Sequence, residues 1–432
     1  MRKVGVVSAI RHLSTTAAQK ARATSAMPLS CRQRSNRFLL TCATAYSALC
    51  GVYAAALEPT GTAITSQGEE LQVLQTISGH RYVQLGDIYV PVEQSLDSSI
   101  RLAPDALLAP VSQWPGGVVY LEFDESVSTS QQNIFLQTVQ QWSDASAVLF
   151  GQHTASNPYS SNYILVQNGG SNGGSSQVGY GGVPAQPMTL NRWDSVAILH
   201  EIGHALGLYH EQQRSDRDTY ITINDVNNLQ GNCPSVWTAN YGAKPGTLVT
   251  NYDFASVMHY PGYSGLYCGP DLDVVNISAI LPEPVGPPSG SEDVCTTTSA
   301  CNQIMGTGVA GNLSERDKYG MAQIYGFRLV GMPTDGNGTG SVSVSGNIDS
   351  CGATCFRAGY GGTVTIHAAA SANSLAYISG ACSGRSICST TMLSNQTFHV
   401  RFLLRKTVVG LVTARSSTDP IFANGFEKPS TH

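Results

Sequence analysis

The sequence predicts an α+β domain over residues 113–327, followed by a small disulfide-linked all-β module over 340–412. Three observations carry this. VVYLEF (118–123) alternates like a strand and NYILVQ (162–167) reads as a second one. Between them, residues 128–143 place Ile134, Phe135, Val139 and Trp142 at helical spacing. Beyond residue 340 the texture changes to GSVSVSG, GGTVTIHA and FHVRF, alternating segments interrupted by two short cysteine loops.

The remaining elements follow in chain order. Residues 194–206 form a strong helix that Asp194 or Ser195 can cap, and LSERDKYGMAQIYGF (313–327) forms another with Ser314 as its cap. Residues 262–300, rich in Pro, Gly and Ser, read as a long surface excursion, and PTDGNGTG (333–340) gives the stretch 328–339 a linker composition. In the module the cysteines pair locally, Cys351 with Cys355 and Cys382 with Cys388, because a small domain with little core needs such staples. A zinc site on CxxxC is the competing reading there, with no histidine pattern to support it. Residues 413–432 form a tail.

Composition excludes several classes of function. A net charge of −5 in 432 residues gives no basic footprint for nucleic acid. A hydrophobic content of 42% allows packed cores, and a charged content of only 12% fits an extracellular protein rich in turns. Eleven cysteines are many for a reducing cytosol. Residues 38–56, FLLTCATAYSALCGVYAAA, follow Arg32, Arg34 and Arg37 and end in small residues, the order of a secretory signal. Residues 1–56 are therefore expected to be a signal segment, with Met27 an alternative start, and the mature protein to be secreted without stable membrane insertion. Removing that segment leaves eight cysteines, an even number. Residues 57–112 precede the first domain as a separate segment with a β-like patch at HRYVQLGDIYVPV.

The chemistry lies in HEIGHALGLYHE (200–211). On a helix His200 and His204 are one turn apart and share a face, so two imidazoles can bind one Zn²⁺, with Glu201 beside them to handle a water on the metal. Gly207 can take positive φ and end the helix sharply. The turn lets His210 swing back as a third nitrogen. Three protein ligands with one open position suit a catalytic zinc, whereas a structural zinc would be closed by a fourth residue.

At this point the sequence resembles the metzincin clan and, within it, the astacin family. Glu211 follows the third histidine and the run continues as HEQQRSDRD (210–218). SVMHY (256–260), preceded by Asn251, Tyr252 and Asp253, resembles the Met-turn. QWPGGVVYLEF resembles the opening strand, SSQVGYGG (175–182) the substrate-pairing edge strand, and LSERD (313–317) the closing helix. The resemblance implies a metzincin fold: a twisted N-terminal sheet, an active-site helix and an irregular C-terminal half. It implies a secreted zinc endopeptidase acting on polypeptides, with one catalytic ion, Glu201 as general base and Met258 beneath the metal. Tyr260 would donate a hydrogen bond to the oxyanion, and Glu211 would have a structural task.

Ser176, Gln177, Val178, Gly179 and Tyr180 are the candidate substrate-binding residues, an ordinary hairpin being the alternative for that stretch. LGDIYVP (85–91) resembles the motif by which astacin propeptides place an aspartate on the zinc. Asp87 would then be a zymogen switch and 57–112 a propeptide, cleaved near 100–112; a plain β-turn is the alternative. One departure stands out: the positions of the two disulfides usual in astacin domains are occupied by other residues (AVLF at 147–150, SSQVG at 175–179). Cys233, Cys268, Cys295 and Cys301 lie elsewhere, and four cysteines allow three pairings. The C-terminal module resembles repeat modules of bacterial secreted and surface proteins. It suits contact with polysaccharide, cell surface or substrate, or service as a spacer. A surface-binding protein with an inactive protease domain is the competing function.

Overall fold

The computed structural model describes residues 57–64, 69–92, 112–157, 160–169, 173–224, 234–244, 250–264, 275–282 and 295–405. All belong to one compact unit, Ala54–His432. The expected signal segment 1–56, the tail 413–432, Cys233, Cys268 and the expected cleavage stretch up to 111 lie outside the described residues. Among the described residues no helix is long and apolar enough to cross a membrane.

The largest sheet has nine strands. Strands β1 (Leu57–Ile64), β2 (Glu70–Thr76), β3 (Arg81–Leu85) and β4 (Ile88–Pro91) form an antiparallel meander from the N-terminal segment. Strands β5 (Val118–Phe123), β6 (Leu149–Gln152), β7 (Ile164–Asn168), β8 (Gly174–Ser176) and β9 (Gln186–Leu190) complete it in the order β1-β2-β3-β4-β8-β9-β7-β5-β6. The seam between the two parts is narrow: β4 meets β8 in parallel at Ile88 and Ser176. The β-like patch HRYVQLGDIYVPV thus becomes the β3–β4 hairpin, turned at Gly86 with φ +67°. Val73, Val83, Leu85, Ile88 and Val90 bury a small core of their own against Ala239 and the partly buried Val178.

The helix expected over 128–143 is two helices, α1 (Thr129–Thr138) and α2 (Gln140–Ala145), the break falling at Val139. Ser128 and Gln131 close a capping box at its start. Helix α3 (Ser195–Ala205) begins at Asp194, whose side chain accepts from the Ala197 amide. It lies in the main core with Val119, Leu121, Phe135, Ile164 and Met321. Two indoles fix its height: Trp114 Nε1 donates to the Ala205 carbonyl at 2.8 Å and Trp142 Nε1 to the Leu199 carbonyl at 3.3 Å. Buried tryptophans supply large apolar area while their N–H groups find acceptors, so they both pack and align the helix.

Beyond α3 the chain becomes irregular. Strand β10 (Ile221–Ile223), helix α4 (Pro234–Asn240), β11 (Tyr263–Ser264), β12 (Val275–Ala279) and helix α5 (Thr298–Ile304) surround a second core of Tyr241, Tyr252, Phe254 and Ile277. The excursion expected over 262–300 is therefore not wholly on the surface. β12 is the middle strand of the β10-β12-β11 sheet and buries Ile277, a role its polar neighbours concealed. Cys295 and Cys301 are bonded to each other, which resolves one of the open pairings.

Helix α6 (Glu315–Tyr325) starts at Ser314 with a capping box to Asp317 and ends at Gly326, φ +71°. Strand β13 (Phe327–Gly331) follows at once. The boundary expected at 328 falls inside it, because β13 alternates buried and half-buried residues and pairs with the module rather than the domain before it. The module contains β14 (Gly340–Gly346), β15 (Ile348–Gly352), β16 (Cys355–Ala358), β17 (Thr363–Ala370), β18 (Ser374–Gly380), β19 (Ile387–Thr391) and β20 (Gln396–Leu404). A β15-β16-β13-β20-β18 sheet and a β14-β17-β19 sheet share one core that includes Leu329, Ile366, Ile378 and Val400. Cys351–Cys355 and Cys382–Cys388 are bonded, the two pairs predicted from their spacing.

Candidate metal centre

Every residue of α3 from Ala197 to Ala205 is buried, so its histidines cannot be solvated surface groups. Asp194 caps one end of the helix. At the other, Gly207 takes φ +108°, its amide and that of Leu208 bonding back to the carbonyls of His204 and Gly203. That sharp exit returns the chain so that His210 faces His204. The three Nε2 atoms converge: His204 lies 3.0 Å from His200 and 3.1 Å from His210.

The opposite ring nitrogens explain why these atoms can approach. His200 Nδ1 faces the Val257 carbonyl at 2.6 Å, His204 Nδ1 the Leu208 carbonyl at 2.8 Å, and His210 Nδ1 the Gln213 Oε1 at 3.0 Å. A carbonyl oxygen only accepts, so each Nδ1 carries the proton and each Nε2 is left with its lone pair. Burial also holds His204 well below the usual imidazole pKa and depresses His210, which favours the neutral, ligating form. Three lone pairs aimed at one another in a dry site repel unless a cation lies among them. These residues fit a single metal ion.

The fourth group at the centre comes from the N-terminal segment. Asp87 Oδ2 lies 3.0 Å from His210 Nε2 and 3.2 Å from His200 Nε2, and the four ligand atoms all lie within 4.8 Å of one another. Burial opposes ionisation of Asp87, but its place among the three imidazoles outweighs it and holds its carboxyl well below the usual range. Its second oxygen, Oδ1, has no protein partner. Asp87 reaches the centre because it stands at the β3–β4 turn, and its carbonyl accepts from the Ser176 amide at 2.9 Å.

Glu201 is 2% exposed, and its Oε2 has no protein partner. Burial first, and the Asp87 charge second, push its carboxyl well above the usual range. Gly174 of β8 makes room for it, since a Cβ there would stand 2.7 Å from the Glu201 Cγ.

Residues 256–259 form a tight turn under α3. Ser256 Oγ donates to Asp317 at 2.6 Å, the Val257 amide donates to the same carboxylate at 3.0 Å, and Met258 is buried. Gly203, on the facing side of α3, has no Cβ to collide with the Met258 sulfur. Glu211 lies beside the centre rather than in it. Its Oε1 accepts from the Asp253 amide at 2.9 Å, and burial, partly offset by Arg214, pushes its carboxyl up to about 8. The Tyr260 ring lies 4.3 Å from that of His210, and its hydroxyl donates to Asn240 Oδ1 at 3.1 Å.

The stretch expected to pair with substrate is only partly a strand. Ser176 closes β8, but Gln177, Val178, Gly179 and Tyr180 leave it, Gly179 with φ +75°. The Gly179 amide donates to the His204 carbonyl and that of Tyr180 to the Ser112 carbonyl, both at 2.8 Å. β8 is no free edge here, because β4 lies along it. Sequence reasoning passed over Gln213, Gln212 and Asn240. The two glutamines stand two and three positions after His210, close enough that their spacing could have drawn attention; Asn240 carries no local signal.

The family model Astacin, that of a peptidase family, matches residues 107–268. Nematocyst expressed protein 6 of Nematostella vectensis is 28% identical over 156 residues, 35% of this chain and 52% of that protein. Zinc metalloproteinase nas-14 of Caenorhabditis elegans is 31% identical over 157 residues, 35% of this chain and 30% of its own length. The chain thus spans about half or less of these relatives. Among solved structures, the hatching enzyme zinc-protease High choriolytic enzyme 1 of Oryzias latipes is similar at 21% identity and a TM-score of 0.36, covering 51% of this chain and 96% of that one. The matched stretch, residues 107–268, contains all three histidines, Glu201, Met258 and Tyr260, and over it the chain is similar to the astacin family of peptidases.

Proposed function

We propose that the protein is a secreted zinc endopeptidase made in latent form, with residues 57–112 as an inhibitory propeptide. One observation carries the reading: three neutral histidines present their Nε2 lone pairs to one point, and the only carboxylate oxygen among the four grouped ligand atoms belongs to Asp87 of the N-terminal segment. The ion such a set would hold is Zn²⁺, which supplies Lewis acidity toward the scissile carbonyl and a water acidified to a pKa of about 7.

The chain's own residues do the rest. Glu201, whose carboxyl burial pushes well above the usual range, takes the proton of the attacking water on its unpartnered Oε2 and returns it to the leaving amine. Tyr260 keeps its proton, since burial holds its pKa well above the ordinary value, and donates a hydrogen bond to the developing oxyanion. Met258, in a Met-turn braced by Asp317, forms the floor beneath the histidines. With the propeptide gone, β8 and the residues after it become an edge on which an extended polypeptide can pair. Until then Asp87 fills the fourth position and β4 fills the edge. The signal-like segment and the disulfides support secretion.

The test is cleavage of an unfolded protein by trypsin-treated, zinc-loaded chain, beside Glu201→Ala and chelator-treated samples. Activity that needs both Glu201 and metal is expected. A treated wild type that cleaves none of several substrates sinks the peptidase reading in favour of a surface-binding role for the module.

A further inference from the structure

Asn240, the last residue of α4, is 0% exposed and uses every polar atom of its side chain. Nδ2 donates to the Leu85 carbonyl at 2.9 Å and to the Val236 carbonyl at 3.2 Å, while Oδ1 accepts from the Tyr260 hydroxyl at 3.1 Å. Carbonyls only accept, so the carboxamide cannot be turned the other way round. A second carboxamide closes the circuit. Gln212 accepts from the Tyr260 amide at 2.9 Å and donates to the Asn240 carbonyl at 3.1 Å. Tyr260 is thus held at backbone and at hydroxyl by one ring of four hydrogen-bonding groups. Gly86 lets Asn240 come this close to the N-terminal segment, since a Cβ on it would stand 2.6 Å from Nδ2.

Of these bonds, the one from Nδ2 to Leu85 reaches into a segment that, on the reading above, is discarded. Nδ2 then loses its Leu85 acceptor, on the same carboxamide as the oxygen that holds Tyr260. We propose that Asn240 is a positioning residue joining cleft occupancy to Tyr260. Its Oδ1 holds the Tyr260 hydroxyl, and its Nδ2 takes a backbone carbonyl from whichever chain fills the cleft, Leu85 in the latent form and the polypeptide substrate afterwards. This rests on the peptidase reading for its second half and on the observed bonds alone for its first.

Two measurements test it. In the full, uncleaved, zinc-loaded chain, Asn240→Ala speeds backbone amide exchange across residues 85–90 by about fivefold, the weight of one hydrogen bond, and leaves β13–β20 unchanged. In the activated enzyme, Asn240→Ala lowers kcat about tenfold, and Tyr260→Phe lowers it about 100-fold or more. The double variant falls no further than Tyr260→Phe alone, because the two act as one unit. Asn240→Asp, which keeps an acceptor for the hydroxyl and loses the donor, recovers most of the kcat lost in Asn240→Ala while its KM stays raised. Unchanged exchange at 85–90 overturns the proposal, and so do losses that multiply in the double variant. A wild type that cleaves nothing overturns the peptidase reading instead, and the exchange result then decides the role of Asn240 by itself.

Discussion

Two β-rich pieces flank the metal-binding domain, and they are attached in opposite ways. The N-terminal meander carries its own small core and meets the domain across one parallel bridge, β4 to β8. A few side chains span the same seam: Gln84 donates to Ser175, Tyr89 bonds Thr189 and Asn240 reaches Leu85. The C-terminal module instead begins one residue after α6, so its central strand β13 is a direct continuation of the closing helix. Asn395 reaches back from the module and donates to the carbonyls of Ser143, Asp144 and Ser146 at the end of α2, while Arg328 donates to Ser143. The first attachment rests on one bridge, a few side-chain bonds and the packing of Ala239 and Val178 against the meander's core, whereas the second follows directly from the closing helix. On the propeptide reading, the first suits release and the second permanence.

The sharpest way to strain this contrast is to remove chemistry without touching either seam. Glu201→Ala is expected to lower peptidase activity of the trypsin-treated chain by about 100- to 10,000-fold, the usual weight of a general base. Unfolding midpoints should show both flanking pieces still in place; a midpoint shift as large as that of a core truncation would mean Glu201 is a structural residue.

Next comes the seam that should part. Asp87→Ala in the uncleaved chain is expected to speed loss of zinc to a chelator by at least about tenfold. The meander should stay docked through Val83, Leu85 and Ile88, so amide exchange in β2 and β3 should be little changed. Zinc retention equal to wild type would show that Asp87 is a turn residue and no more.

The permanent seam is probed by smaller effects on stability. Gly326 has φ +71° and a Cβ would collide with the Ala358 carbonyl, so Gly326→Ala should cost about 2 to 3 kcal/mol in denaturant unfolding. An unchanged midpoint would mean the junction is slack. Asn395→Ala leaves the three α2 carbonyls without that donor and should cost about 1 to 2 kcal/mol, with KM for a protein substrate unmoved. If Asn395→Ala instead releases the module to proteolysis with no loss of stability, the two seams are more alike than their geometry indicates.

What could be read from the sequence was whatever is local. The i, i+4 histidines, the glycine that ends their helix, the Ser314 cap and the short cysteine loops each declare themselves within a few residues. Asp87 could be suspected from its motif, but its arrival beside His200, 113 positions away, depends on a nine-stranded sheet that no local pattern specifies. The assignment of β13 to the module is equally remote, since FRLVG has the same alternation whichever sheet receives it. β12 was hidden by the polar residues around it, and Asn240 by being an ordinary asparagine at a helix end, made significant only by the Tyr260 hydroxyl and the Leu85 carbonyl on either side.

The anchoring of the three histidines divides them into two kinds. The acceptors for His200 and His204 are main-chain carbonyls of Val257 and Leu208, groups that every residue type possesses. The acceptor for His210 is the side chain of Gln213, which also donates to the Ala239 and Gly242 carbonyls. No point substitution can delete the first two acceptors, but a single codon change can delete the third. The same glutamine ties the third ligand to the end of α4, so the one anchor that a substitution can remove also couples that ligand to the helix carrying Asn240.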